Sequence, residues 1–220
     1  DDTLWAFSLN ARDTYEEMYW KYGYDRYFDS FEHYYSLYQR RNLDLWAEYA
    51  DGKVTKEELN RQRYLYPLEA VGAGDSTLAK AYERDALTMI PTKSKLMPHA
   101  REVLEYLSGK YNLYILSNGF KELQSHKMRS SGIDEYFKKV VLSDDIGILK
   151  PWPEIFHFAL STTQSELNNS LMIGDSWEND IVGAAGVGMH QVFYNLSGRT
   201  DLPFAPTYQI TDLKDLFNFL

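Results

Sequence analysis

Apolar and aromatic residues recur at three- and four-residue spacing from Asn10 to about Tyr24, from Ser30 to Tyr49 and from Thr55 to about Leu68. That is the period of an amphipathic α-helix, so the first part of the chain is expected to be helical. Ser30 precedes the second run, and Thr55-Lys-Glu-Glu58 has the spacing of a capping box, with Asp51-Gly52 as the turn ahead of it. Gly72-Ala-Gly74 punctuates the pattern, and a fourth helix is expected from Ser76 to Met89, before Pro91. Beyond Pro98 the rhythm changes. Helix His99 to Leu107 leads into strand Leu113 to Leu116, and helix Glu122 to Ser131 into strand Val140 to Leu142. Helix Pro153 to Thr162 then leads into strand Ser170 to Ile173, and helix Ile181 to Ala185 into strand Gln191 to Tyr194. Short strands alternating with amphipathic helices predict an α/β fold, a Rossmann-like parallel sheet with helices on both faces.

Composition sharpens this division, because 12 of the 18 Tyr lie before residue 83, together with Trp5, Trp20 and Trp46. A chain of 220 residues, 44% hydrophobic, can bury one core carrying an insert. Its formal charge of -9, with Lys and Arg scattered, makes nucleic acid an unexpected partner. With no Cys, thiolate nucleophiles, disulfides and Cys-bearing metal sites are excluded. No apolar run approaches the ~20 residues that span a bilayer, and Asp-Asp-Thr-Leu-Trp does not look like a signal peptide. A soluble, cytoplasmic protein is the expectation.

Ligands of parallel sheets bind beyond the carboxyl ends of the strands, so the residues there carry the candidate chemistry. The first expected strand ends in Ser117-Asn118-Gly119, whose hydroxyl and exposed amides suit phosphate oxygens; the plain alternative is a turn into the next helix. Lys150 stands before Pro151 on a segment that cannot be helical, and a lysine fixed there can face an anion rather than solvent. Strand Leu171-Met172-Ile173 ends in Gly174-Asp175-Ser176-Trp177-Glu178-Asn179-Asp180, a cluster of hard oxygen ligands of the kind Mg2+ prefers, or else an acidic helix start.

Taken with Asp1-Asp2-Thr3-Leu4-Trp5, these segments resemble the haloacid dehalogenase-like superfamily of hydrolases over essentially the whole chain. The family pattern is Asp-x-Asp-x-Thr after the first strand, Ser or Thr with Asn, an isolated Lys before Pro, and Gly-Asp with a further Asp nearby. Asp1 with Thr3, Ser117-Asn118-Gly119, Lys150-Pro151, and Gly174-Asp175 with Asp180 match it in order. Thr3 takes the fifth position of the first motif and Asp1 the third. The nucleophilic Asp, and the strand bearing it, are therefore expected ahead of Asp1.

The resemblance implies a Mg2+-dependent phosphatase acting on a small phosphorylated metabolite through an aspartyl-phosphate. Asp1 is implied as acid/base, and its main-chain carbonyl with Asp175 as metal ligands. Ser117, Asn118, Gly119 and Lys150 are implied at the phosphate, Lys150 also neutralising charge in the transition state, while Thr3 and Asp180 support the groups in contact. It further implies a core of residues 1–9 and 91–220 and an inserted helical cap of residues 10–90. Asn42-Leu-Asp-Leu-Trp46-Ala-Glu-Tyr49 looks like the cap of bacterial 5′-nucleotidases, with Trp46 a candidate surface for a base, although aromatics at helical spacing are more often cap core.

Two alternatives stay open. Metal-independent dehalogenases of the superfamily lack counterparts of Asp1 and Asp175, which favours the phosphatase. A non-catalytic module would keep Mg2+ and an anion pocket but carry Asn, Gly or Ala two places ahead of Asp1, where the enzyme has Asp. His33, His99, His126, His157 and His190 show no metal-ligand spacing, and Gly183-Ala-Ala-Gly-Val-Gly188 reads as close packing rather than a dinucleotide fingerprint.

Overall fold

The computed structural model describes all residues from Asp1 to Leu220. They form two compact units, one of Asp1–Phe7 with Ser94–Leu220 and one of Ser8–Lys93.

The Ser8–Lys93 unit is helical, built on α1 (Phe7–Lys21), α2 (Phe31–Ala50), α3 (Lys56–Ala70) and α4 (Ser76–Met89). The helix starts follow local chemistry. Ser30 Oγ accepts the His33 amide at 3.1 Å, Thr55 Oγ1 accepts the Glu58 amide at 3.1 Å, and Asp75 accepts the Thr77 and Leu78 amides. The expected capping box at Thr55 is only half formed, because the Glu58 carboxylate turns outward to Arg61 and Gln62. Gly52 has φ 69° with open space where a Cβ would sit, so the turn between α2 and α3 selects glycine for its backbone angle alone. The interior of this unit is rich in tyrosine. Tyr15, Tyr19, Tyr24, Tyr34, Tyr64 and Tyr82 are each under 2% exposed, which settles them as packing rather than as rings open to a ligand. Tyr15 Oη bonds Tyr38 Oη at 2.7 Å, and Tyr82 Oη donates to the Tyr15 carbonyl at 3.0 Å. Burial pushes the phenols of Tyr15, Tyr34 and Tyr82 well up, so the cluster stays neutral.

The second unit is α/β. In chain order it contains α5 (Ala100–Ser108), β1 (Leu113–Ser117), α6 (Lys121–Ser130), β2 (Phe137–Leu142), α7 (Pro153–Thr163) and β3 (Leu171–Gly174). A π-helical segment, Trp177–Val182, runs directly into α8 (Gly183–Gly186), followed by β4 (His190–Tyr194) and β5 (Tyr208–Ile210). All pairings are parallel: β1 with β2, and β3 with β4 with β5. Helices cover both faces. Val103 and Leu107 of α5 pack with Val192, Tyr194 and Leu213, whereas Ile155 and Phe156 of α7 pack with Ala184 and Met189. Ile155 and Phe156 are completely buried, and each such side chain contributes about 1.5–3 kcal/mol of transfer free energy.

Two elements differ from the sequence pattern. The helix expected over Ile181 to Ala185 begins at Trp177, with Ser176 Oγ accepting the Asn179 amide at 3.2 Å. Strand β5 has no counterpart in the pattern, because it is three residues long with Tyr208 and Gln209 exposed and is held by pairing to β4. The parallel strands also fall into two groups, β1-β2 and β3-β4-β5, with no ladder joining them. Residues of both β1 and β3 line a cavity of about 930 Å³, whose walls include Leu113, Ile115, Met172 and Ile173. Where β1 and β3 terminate, its lining includes Asp1, Thr3, Ser117, Lys150, Asp175 and Asp180.

Candidate active site

Ser117 is the last residue of β1 and is buried. Its Oγ accepts two hydrogen bonds, from the Gly119 amide at 3.0 Å and from Gln124 Nε2 at 2.8 Å. A hydroxyl offers two acceptor lone pairs and one proton. With both lone pairs taken, the proton of Ser117 is left to donate elsewhere, which suits an anion. A Cβ at 119 would lie 2.0 Å from Gln124 Nε2, so a larger residue there would displace that amide from Ser117.

The Gly119 amide and the Asn118 side chain both have partners within the protein. The Gly119 amide is spent on Ser117. The Asn118 side chain grips the backbone of Lys150, accepting from its amide at 2.8 Å and donating to its carbonyl at 3.0 Å. A short polar side chain next to a loop finds backbone partners before it finds a ligand. The Asn118 side chain thereby places Lys150.

Lys150 itself is buried, and its Nζ donates to Asp180 Oδ1 at 2.5 Å and to the Leu116 carbonyl at 3.0 Å. The second oxygen of Asp180 accepts the Ser176 amide at 3.1 Å, so the carboxylate is fixed at both ends. Gly174 makes room for it, because a Cβ there would fall 2.2 Å from Asp180 Oδ2. Asp180 thus orients the lysine, with one charge compensating the other in a desolvated place.

Thr3 donates from Oγ1 to Asp175 Oδ1 at 2.6 Å. Burial pushes the Asp175 carboxyl up, against the lowering effect of that hydrogen bond. The carboxylate of Asp1 is held differently: Lys127 Nζ lies 2.9 Å from each of its oxygens. Lys127 comes from the buried face of α6 and also sits 4.7 Å above the Trp5 ring. No group of three or more His, Asp or Glu side chains stands close enough to cage a metal.

Of the residues singled out in the sequence, Asp1, Thr3, Ser117, Lys150, Asp175 and Asp180 line the single cavity between β1 and β3. Asn118 and Gly119 stand behind Ser117 and Lys150. Trp46 belongs to the other unit, where it is half-buried with its ring edge-on to Tyr49, 5.9 Å away. Sequence reasoning missed Gln124 and Lys127. A signal existed: the buried stripe of α6 reads Gln124, Lys127, Met128 and then Ser131, with polar residues where a stripe should be apolar.

Residues 1–188 match the family model described as haloacid dehalogenase-like hydrolase, and the chain belongs to that family. Two relatives are similar over most of its length. The HAD-hydrolase YfnB of Bacillus subtilis is 29% identical over 187 residues, covering 83% of this chain and 78% of YfnB. The pyrimidine 5′-nucleotidase YjjG of Escherichia coli is 30% identical over 185 residues, covering 83% of this chain and 80% of YjjG. Among solved structures, magnesium-bound YfnB superposes with a TM-score of 0.87 at 26% identity, covering 100% of this chain and 95% of that one. The parallel sheet flanked by helices is accordingly the fold of this hydrolase family, which includes phosphatases and nucleotidases.

Proposed function

We propose that the chain hydrolyses small phosphate monoesters with Mg2+ as cofactor, by way of a phosphoryl group carried on an aspartate. One observation carries this reading: Ser117, with only its proton free, is followed within the same cavity by Lys150, whose Nζ is anchored on the carbonyl of the preceding residue, Leu116. A directed donor beside a fixed cation matches the oxygens of a phosphoryl group. In a protein of charge -9, attraction of such an anion must come from cations placed this locally.

The donor set suits Mg2+. Thr3 engages only one oxygen of the half-buried Asp175, so the other can serve a ligand, and the Asp1 main-chain carbonyl is assigned as a second hard oxygen. When bound, Mg2+ supplies positive charge against the phosphoryl oxygens. Lys150 and Ser117 hold those oxygens as charge shifts in the transition state. Asp1 delivers a proton from its carboxyl to the leaving oxygen, and later takes one from the water that frees the phosphate. The attacking carboxylate is assigned to the position two residues before Asp1, and the cavity between β1 and β3 is proposed to receive the strand that brings it there.

For substrate, a nucleoside 5′-monophosphate is proposed; the nucleotidase activity named for YjjG supports this choice. The test is phosphate release by the full-length protein from a panel of nucleoside monophosphates and sugar phosphates, with Mg2+ and with a chelator. Pyrimidine monophosphates are expected to lead. Hydrolysis that survives chelation would remove the metal from the reading, and a sugar phosphate far ahead of dUMP and UMP would remove the nucleotide. Absence of any hydrolysis beside retained Mg2+ binding would point to the binding module instead.

A further inference from the structure

We propose that Lys127 is a positioning residue for the reaction, locking the Asp1 carboxylate in the orientation from which it serves the leaving oxygen of the substrate. The inference rests on the phosphatase reading above and goes beyond it to the question of what aims the acid/base group.

The geometry is specific. Lys127 Nζ contacts both Asp1 oxygens at 2.9 Å, so the contact resists rotation of the carboxylate as well as its displacement. The Lys127 side chain is 4% exposed, whereas that of Asp1 is 31% exposed, so the lysine is the sealed anchor and the aspartate the accessible end. The lysine is also confined from another side by aromatic rings, with Trp5 at 4.7 Å and Phe7 at 5.3 Å from Nζ. Desolvating an ammonium group costs several kcal/mol before any pairing. An apolar residue would fill that place on α6 without the cost, so a buried lysine there calls for a role that a hydrocarbon cannot fill.

Lys150, the other lysine beside the strand ends, is not interchangeable with Lys127. Lys150 is committed to Asp180 and the Leu116 carbonyl, behind the proposed phosphoryl site. Lys127 is committed to the other carboxylate, the one proposed to handle the proton. Each lysine therefore has its own aspartate, and only the Lys127 pair bears on the leaving group. Proton transfer needs the carboxyl within hydrogen-bond reach of the leaving oxygen, and small misplacements of a reacting group are costly. A free aspartate samples several rotamers; one held by a two-point contact does not.

Leaving-group dependence separates this role from general support of the fold. An alkoxide needs a proton as it departs, whereas p-nitrophenolate departs without one. We therefore compare glycerol 2-phosphate and p-nitrophenyl phosphate as substrates of the full-length protein carrying Lys127→Met or Lys127→Arg, with Mg2+ present. For Lys127→Met, kcat/KM, which reads the steps up to departure of the alcohol and not the later hydrolysis common to both esters, is expected to fall at least ~10-fold further on the alkyl phosphate than on the aryl phosphate, a part of the ~10²–10⁴ that general acid catalysis supplies. Lys127→Arg, which keeps a charge able to grip both oxygens, should recover most of the alkyl loss. Equal falls on the two substrates, no fall on either, or an arginine variant no better than methionine would overturn the inference while leaving the phosphatase reading intact. If Lys127→Met does not fold, the same ratio is read from Lys127→Gln. Failure of the wild-type protein to hydrolyse either ester would overturn the phosphatase reading and this inference with it.

Discussion

Gln124 donates from its buried side-chain amide to Ser117 Oγ at 2.8 Å, and this one contact decides which way Ser117 sends its proton. Together with the Gly119 amide at 3.0 Å it fills the acceptor side of the hydroxyl. Ser117→Ala is therefore expected to lower kcat/KM by about 10²–10³, the usual loss when one directed donor is removed from a site of developing charge. Gln124→Glu should be more damaging than Gln124→Leu, because a carboxylate would capture the Ser117 proton and turn the hydroxyl inward. Steady-state kinetics on one ester would rank the three variants, and a harmless Gln124→Glu would show that the hydroxyl is not directed by residue 124.

The Lys150–Asp180 pair makes a prediction about stability. Removing one partner leaves the other charge buried, at a cost of roughly 3–5 kcal/mol. Asp180→Ala should therefore shift the urea midpoint strongly, and Asp180→Asn less, since its amide oxygen can still accept from Nζ. Activity should fall in both, because Lys150 loses its orienting charge. A denaturation curve unchanged by Asp180→Ala would mean that the pair is solvated in solution.

Gly183, at the start of α8, reports on how tightly the Lys150 loop is backed. A Cβ there would lie 2.6 Å from the Phe156 ring and 3.0 Å from Pro151 Cα. One neighbour is a fully buried ring and the other is backbone, so neither can yield cheaply. Gly183→Ala should destabilise by about 1–3 kcal/mol, as overpacking does, and disturb the residue next to Lys150. Thermal melting and kcat measured together are expected to fall together; a variant with unaltered melting would show that the loop has room to move.

In the helical unit, Asp85 accepts from Arg84 at 2.8 Å, from Lys21 at 2.6 Å and from Tyr22 at 2.7 Å. These partners, Arg84 foremost, hold its carboxyl well below the usual range. For a carboxylate depressed in the folded state, the stability it confers is present above the unfolded pKa of about 4 and is lost as pH falls through the folded value. Asp85→Asn is therefore expected to melt below the wild type at neutral pH, with the gap closing as pH drops below about 4. A gap that stays constant down to acid pH would exclude the ionic contribution.

Much of this molecule was legible before its structure. The helices of Ser8–Lys93 follow from a local period and from caps such as Ser30 and Thr55, because helix hydrogen bonds join residues only four apart. The positions of Ser117, Lys150 and Asp175 at or beyond strand ends were likewise readable, since short apolar runs mark where parallel strands stop. Strand β5 was not, because three residues with two exposed carry no periodic signal and depend on their neighbour β4. Nor could the start at Trp177 of the helix leading into α8 be read from spacing.

The chain's order of residues alone determined which chemical groups reach the mouth of the cavity: a hydroxyl, lysine and carboxylates at the ends of parallel strands. Only the tertiary structure decided which of them face one another. Gly119 gives its amide to Ser117, Asn118 holds the Lys150 backbone across 32 positions, and Lys127 meets Asp1 across 126. The reason is physical. Whether a group presents a proton, a lone pair or a charge depends on partners within about 3 Å, and in this core those partners come from distant parts of the chain, brought together by burial.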